Sequence, residues 1–272
     1  MNTEKIKVLD QGYVRLVEPW GADERIIEAA RTSTAKGFNG WGPICSKCGI
    51  RVEATAPNEV TAIEQESAEQ LLCAHDALAP GDEKLLKFLW DNKHATPFEM
   101  AGMIVEVKAP IFVIREWQRH RTQSFNEMSA RYVPLPDENY MPSAPLVAGR
   151  ALEAAFTRNK QAASASPHVA SFDEVTIWLH ELNQAYEHAQ RVYEAGIALG
   201  IPKELARLPV PVARYSAMRA SANLRNWFAF LALRCDKAAQ WEIRQYAEAV
   251  ATLAAACFPR SYAIARESIG AP

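Results

Sequence analysis

Residues 102–132 place the tightest constraint on how this chain can fold. Residues 102–108 alternate Met103, Val105 and Val107 against Ile104, Glu106 and Lys108, the period-two pattern of a strand with one buried face. Ala109-Pro110 then opens a helix, with Pro110 where its missing N–H does no harm. Ile111, Phe112, Ile114 and Trp117 give that helix an apolar face. Directly behind it comes Arg119-His-Arg-Thr-Gln-Ser-Phe-Asn-Glu-Met-Ser-Ala-Arg-Tyr132. A strand and a helix that both bury apolar side chains thus deliver a dense polar run to a loop at the edge of the core. A rigid support of that kind is what a preorganised site requires.

The groups in the run suit phosphate and heterocyclic rings. Arg119, Arg121 and Arg131 are permanent cations with planar, forked donors. His120 can donate or accept near neutral pH. Glu127 can hold an arginine or accept from a ligand's N–H or hydroxyl. A solvated basic turn is the alternative. The buried approach, and the lack of Lys/Glu alternation, favour a phosphate-bearing ligand instead.

The chain as a whole is not basic. Its 272 residues carry a net charge of −2, against the strongly positive footprint of a nucleic-acid-coating protein. The arginines therefore read as a local pocket, and no nucleic-acid partner is expected. With 49% apolar and 23% charged residues, this is the composition of a globular protein able to bury a substantial core. No run approaches the roughly 20 apolar residues of a membrane span, and residues 1–7 lack the pattern of a signal peptide. Five cysteines, an odd number, fit reduced thiols in the cytoplasm.

Along the chain, residues 6–17 alternate as a strand that Pro19 and Gly21 should end. Residues 22–34 read as a helix with Asp23 and Glu24 in its first turn. Residues 36–81 hold Gly37, Gly40, Gly42, Pro43, Pro57, Pro80 and Gly81 without a clean period and look like an insertion. Within it, Cys45, Cys48, Cys73 and His75 are the residue types of a Cys₃His zinc site. The second half is irregularly spaced, so a loop of free thiols is the better reading and no metal is assigned. Residues 82–92 form a helix capped near Gly81 or Asp82, and Pro97 makes His94-Ala-Thr-Pro-Phe-Glu99 a turn. A second insertion is expected at about 148–172, which is Ala/Ser-rich and reads as a linker with little site chemistry. Residues 174–198 form a long amphipathic helix with Trp178, Leu182, Ala185, Ala189, Val192 and Gly196 at spacings of three and four. On the helix that follows Ala222, Asn223, Phe230 and Arg234 share a face and Arg225 points nearly opposite. One helix can thus serve two ligand surfaces or two subunits.

Arg119-His120-Arg121, then Ser129 after seven residues, resembles the signature of the flavin-dependent thymidylate synthases. His94-x-Thr-Pro-Phe-Glu99, Tyr140-Met-Pro-Ser143, Pro202-x-Glu-x-Ala-Arg207, Asn223-x-Arg225 and Ala238-Ala-Gln-Trp-Glu-Ile-Arg-Gln-Tyr246 are similar to further blocks of that family, in the same order. The likeness covers roughly 5–35, 82–142 and 174–260 and fails in the two insertions. It implies one α/β (α+β) catalytic domain over residues 1–272, with a small mixed sheet flanked by helices. It also implies a homotetramer with sites at subunit contacts.

The reaction implied is reductive methylation of dUMP to dTMP, with methylenetetrahydrofolate as one-carbon donor, NADPH as reductant and FAD as relay. By the same resemblance Glu116, Trp117, Gln118 and Arg119 meet dUMP, as do Glu127, Met128, Ser129, Ala130 and Arg131. Arg207 and Arg234 complete that set. FAD is met by Thr96, Arg119, His120, Arg121 and Glu127, and by Asn223, Leu224 and Arg225. Ala229 holds a further flavin position, where alanine offers only backbone or packing.

Uracil C5 is a weak nucleophile, and the other enzyme type activates it by adding a cysteine thiolate at C6. No cysteine here is a convincing nucleophile of that kind: Cys45, Cys48 and Cys73 lie in the insertion, Cys257 sits on a mostly apolar helix, and Cys235 diverges by about 100° from its helical neighbour Arg234. Arg234 is therefore expected to stabilise charge on the pyrimidine. Two rival readings fit the same residues: a homologue that binds FAD and nucleotide without synthase turnover, and an RNA- or nucleotide-binding module.

Overall fold

The computed structural model describes residues 4–45, 47, 78–79, 81–157, 159–160, 162–164 and 168–270. The strands among them are β1 (Ile6–Val8), β2 (Gly12–Trp20), β3 (Ile44–Cys45), β4 (Leu78–Ala79), β5 (Gly102–Pro110), β6 (Ser124–Glu127) and β7 (Tyr215–Asn223). The α-helices are α1 (Asp23–Arg31), α2 (Glu83–Asp91), α3 (Ile111–Trp117), α4 (Ala144–Phe156), α5 (Phe172–Ala198), α6 (Lys203–Ala206), α7 (Leu224–Arg234), α8 (Trp241–Cys257) and α9 (Pro259–Ile269).

Five strands pair in the order β1-β2-β5-β7-β6, and β3 pairs with β4 separately. The α+β class is as expected, but the sheet is antiparallel throughout rather than mixed. The alternation of β5 explains this, because a parallel strand covered on both faces would read as a continuous apolar run. Register puts Val14 opposite Val107 and Leu16 opposite Val105, with Met218, Ala220 and Ala222 opposite Val107, Val105 and Met103. That face joins Ile26, Ile27, Trp227, Phe230, Leu231, Ile243, Tyr246 and Val250 in one core. On the other face Glu106 accepts from Arg15 Nη2 at 2.7 Å and Tyr13 Oη at 3.0 Å, with Arg219 on the far side. Burial pushes the Glu106 carboxyl up, but the hydrogen bonds from Arg15 and Tyr13 outweigh it and hold the group below the usual range.

The strand expected over 6–17 is a hairpin, reversed at Leu9, whose φ is 57°. Its second strand continues through Pro19 to Trp20. Beyond Val14, β1 no longer covers β2, and a proline is tolerated on such an edge. Gly21, at φ 70°, ends the strand. Asp82 sits at the N-cap of α2 as expected, but its side chain makes no cap bond. It is fully buried, paired with Arg31 and accepting from the Asn39 backbone at 2.7 Å.

Gly102 lies between Trp20 and Asn223 in register. A Cβ there would meet Trp20 Cζ2 at 2.3 Å and the Ala222 carbonyl at 2.4 Å. Gly102→Ala is expected to cost about 1–3 kcal/mol, read as a lower urea midpoint at unchanged m-value.

Two helices depart from expectation. The first half of the supposed linker is α4, which starts where the Ser143 side chain accepts from Leu146 N and then draws on alanine's helix propensity. Helix α5 begins two residues earlier than expected, at a Ser171/Glu174 capping box. Its apolar stripe is wider than the chain itself covers. Val175, Tyr193 and Gly196 are buried, whereas Trp178, Ala185, Val192 and Leu199, seven residues apart, are exposed. Among the described residues, no helix is long and apolar enough to cross a membrane.

Candidate active site

Helix α3 divides the site. Ile111, Ile114, Arg115 and Gln118, at spacings of three, four and seven, face one cavity of about 590 Å³. Glu116 faces a different one, of about 790 Å³, with Arg234.

In the larger cavity the guanidinium of Arg234 is clamped. Nε donates to His120 Nε2 at 2.8 Å, one terminal nitrogen to Glu116 Oε2 at 2.9 Å, and the other to the Glu116 carbonyl at 2.9 Å. Arg234 ends α7, where a cation is favoured by the helix dipole. Burial, and then Arg234, push the His120 imidazole down to about 4, with Glu116 opposing. It is therefore neutral at pH 7, although sequence alone left it free to be either. The rest of this cavity is lined by Arg150, Glu153 and Thr157, with Asn159, Lys237 and Gln240. Sequence reasoning missed Arg150, Glu153, Thr157 and Asn159, because the stretch around Arg150 reads as a linker. Asn159 Nδ2 ties that stretch to the Ala238 carbonyl at 3.3 Å.

The smaller cavity collects Gln118, Glu127, Met128, Ser129, Ala130 and Arg207. Residues 124–127, expected as loop, are strand β6, paired to β7 with Glu127 opposite Met218. Glu127 accepts from Ser216 Oγ at 2.9 Å and from Gln118 Nε2 at 3.1 Å, so both its oxygens are oriented. Arg131 reaches Glu204 at 3.4 Å. Arg207 is exposed, and its guanidinium has no ion pair among the described residues. Arg207 and Arg234, grouped by sequence, thus line separate cavities.

Arg119 and Arg121 line a third pocket of about 370 Å³ with Gln118. Both are exposed, and neither guanidinium is paired among the described residues. Two free, neighbouring, forked cations are the donor set of a diphosphate group. On α7, Asn223 caps the N-terminus by accepting from Asn226 N at 3.0 Å. Arg225 turns away from Arg234 to pair with Glu99, a partner that sequence did not supply. Thr96 is exposed at the start of a 3-10 turn, Thr96–Met100, and Ala229 is exposed on α7.

Three residues of the expected set are core side chains. Trp117 is fully buried, stacked on Phe230 at 4.6 Å and donating to Gln123 Oε1 at 2.9 Å. Leu224 is fully buried and Ala130 nearly so. Trp117 and Leu224 can serve a ligand through their backbone or by holding their neighbours in place. Burial pushes the Cys235 thiol up to about 11, away from thiolate chemistry. Of the zinc set, Cys48, Cys73 and His75 lie outside the described residues. Among those described, no cluster of three His, Cys, Asp or Glu could hold a metal.

The thymidylate synthase complementing protein family matches residues 15–260. The chain belongs to the flavin-dependent thymidylate synthase family. It is 34% identical to the flavin-dependent thymidylate synthase of Thermus thermophilus, over 97% of this chain and 79% of that one. With the enzyme of the same name from Thermosipho melanesiensis the figures are 32%, 92% and 88%. Among solved structures it is similar to a UMP/dUMP methylase from Streptomyces cacaoi bound to 5-Br dUMP, at 28% identity and TM-score 0.68 over 97% of both chains.

A depressed imidazole gives stability a sign. The unfolded histidine takes a proton at its ordinary 6.5, which the folded one refuses until about 4, so stability should fall as pH drops through that window. His120→Gln should flatten this slope in urea midpoints measured between the two values. An unchanged slope would place the protons elsewhere.

Proposed function

We propose that this chain methylates dUMP reductively to dTMP, taking its one-carbon unit from methylenetetrahydrofolate and its electrons from NADPH through FAD. The clamped Arg234 lining the larger cavity is the observation that carries this reading. The relatives' name and the methylase likeness support its substrate and its flavin. Arg119 and Arg121 fit the FAD diphosphate, with Arg225, Asn223 and Thr96 nearby in the family's pattern. FAD supplies reversible two-electron chemistry between the reductant and the one-carbon unit. In the reaction C5 loses its proton and gains the methylene carbon, which a hydride completes to methyl.

The protein's own part is positioning and electrostatics. Arg234, 16% exposed, stabilises negative charge on the pyrimidine as C5 attacks, without a bond to C6. Glu116 holds that guanidinium and leaves its Oε1 to accept from a ring N–H. Ser129, Arg207 and Arg131 fit the nucleotide phosphate. Because Ser129 and Arg207 line a different cavity from Arg234, one subunit's phosphate residues complete another's base site.

The homotetramer that this needs draws support from the uncovered stripe of α5 and from Leu205, Leu208 and Tyr132, exposed beside Arg207 and Arg131. Trp178→Glu with Val192→Glu is expected to yield smaller species in light scattering and to abolish turnover. A tetramer that persisted would exclude this face. Cys235 and Cys257 are free thiols, which fits a cytoplasmic enzyme.

The first measurement is the absorption spectrum of the purified protein, followed by anaerobic NADPH with dUMP, with UMP and with neither. A yellow chain bleached by NADPH, and a dTMP product from dUMP, are expected. A methylated product from UMP at equal efficiency would favour the broader substrate choice of the Streptomyces cacaoi methylase. A chain that cannot be loaded with FAD would overturn the reading.

A further inference from the structure

A guanidinium carries five N–H bonds, and in Arg234 three are spent on His120 and Glu116. One N–H remains on each terminal nitrogen, a pair suited to two acceptors on one ligand edge. Glu116 alone would be a loose holder, since its side chain is 43% exposed. His120 is held better. Its backbone N donates to the Trp117 carbonyl at 3.0 Å. Its ring lies edge-on to Phe230 at 4.9 Å, and Phe230 is itself stacked on buried Trp117.

Chemistry settles the imidazole's state at this contact. An arginine Nε–H can only donate, so His120 Nε2 must offer its lone pair and the ring proton must sit on Nδ1. An imidazolium would set N–H against N–H and place two cations together. We propose that His120 is a positioning residue for Arg234: as the neutral Nδ1–H tautomer it pins Nε and so keeps the two free N–H bonds presented to substrate. The kinetic consequence rests on the dTMP reading, whereas the tautomer does not. The aromatic core thus orients a histidine, and the histidine orients the group that stabilises charge.

Two substitutions separate this role from flavin contact or packing. His120→Phe keeps a ring against Phe230 but offers no acceptor, and His120→Gln restores a carbonyl acceptor. In the FAD-loaded enzyme His120→Phe is expected to lower kcat at saturating dUMP by about 10–100-fold, and His120→Gln to recover most of that loss. In an Arg234→Ala background His120→Phe should add almost nothing, because both act through one group. Additive losses, or equal losses from Phe and Gln, would overturn the proposal. A His120→Phe protein that loses only its flavin would overturn it too.

Nitrogen NMR of the 15N-histidine-labelled chain reads the tautomer without turnover. His120 should hold its proton on Nδ1 and resist a second proton until about pH 4, and Arg234→Ala should move that titration upward. Arg234 and Glu116 are the charged groups facing the ring. A proton on Nε2 in the wild-type chain would refute the positioning role whatever the enzyme makes. The expected tautomer in a chain that makes no dTMP would refute only the functional reading.

Discussion

Arg234→Ala should lower dTMP formation at saturating dUMP by about 10²–10³. The magnitude follows from placement. The guanidinium is largely shielded from water, so its charge acts through a medium less screening than solvent. It is also held before substrate arrives, so orienting it costs nothing during the reaction. Arg234→Lys should recover little, because an ammonium cannot engage His120 and both Glu116 acceptors in one plane while presenting two further N–H bonds. FAD content should be unchanged, since Arg119, Arg121 and Arg225 lie elsewhere. Single-turnover kinetics and dUMP titration separate the rate from affinity. Wild-type kcat in Arg234→Ala would remove this residue from the chemistry.

The second large effect is on stability, at a residue that sequence did not single out. Arg214 is fully buried. Its Nε donates to Asn139 Oδ1 at 3.0 Å, one terminal nitrogen to the Pro136 carbonyl at 2.7 Å, and the other to Gln190 Oε1 at 2.8 Å, with Asp137 at 3.1 Å. It therefore ties β7, the 136–139 loop and helix α5 together. Burial pulls its pKa down, opposed first by Asp137, so the site is costly and is maintained by its partners. Arg214→Met should destabilise by about 3 kcal/mol, because it orphans the acceptors on Pro136, Asn139 and Gln190. Asp137 is half exposed and can return to water, which keeps the cost from rising further. Equilibrium urea unfolding would measure the loss. Release of α5 alone, with the sheet and FAD retained, would show that the pin acts locally rather than on the whole fold.

Residues 102–132 were legible for local reasons. The strand declared itself by alternation, the helix by its proline start and apolar face, and the polar run by its density of forked cations. The family blocks were equally legible because each is a short, ordered run whose chemistry is carried by adjacent residues. In two places where expectation failed, the deciding contact was distant in sequence. The 6–17 strand breaks at Leu9 beside Asp10, whose carboxylate is taken by Tyr215 and by Met141 N. The 124–127 loop became a strand because β7, some ninety residues later, offers it an edge.

What the sequence determined by itself was the inventory: an α+β chain, a nucleotide-suited arginine set, and no cysteine well placed to attack C6. Those properties belong to residue types and near-neighbour spacing. Only the tertiary structure decided how the inventory is divided. It set Arg207 and Arg234 in separate cavities on either side of α3, made Trp117 a support, and turned half the apolar stripe of α5 outward. It also fixed His120 as a neutral acceptor, because burial and an approaching guanidinium act across 114 residues of sequence. Charge state and cavity membership depend on what packs around a group, and no local pattern carries that information.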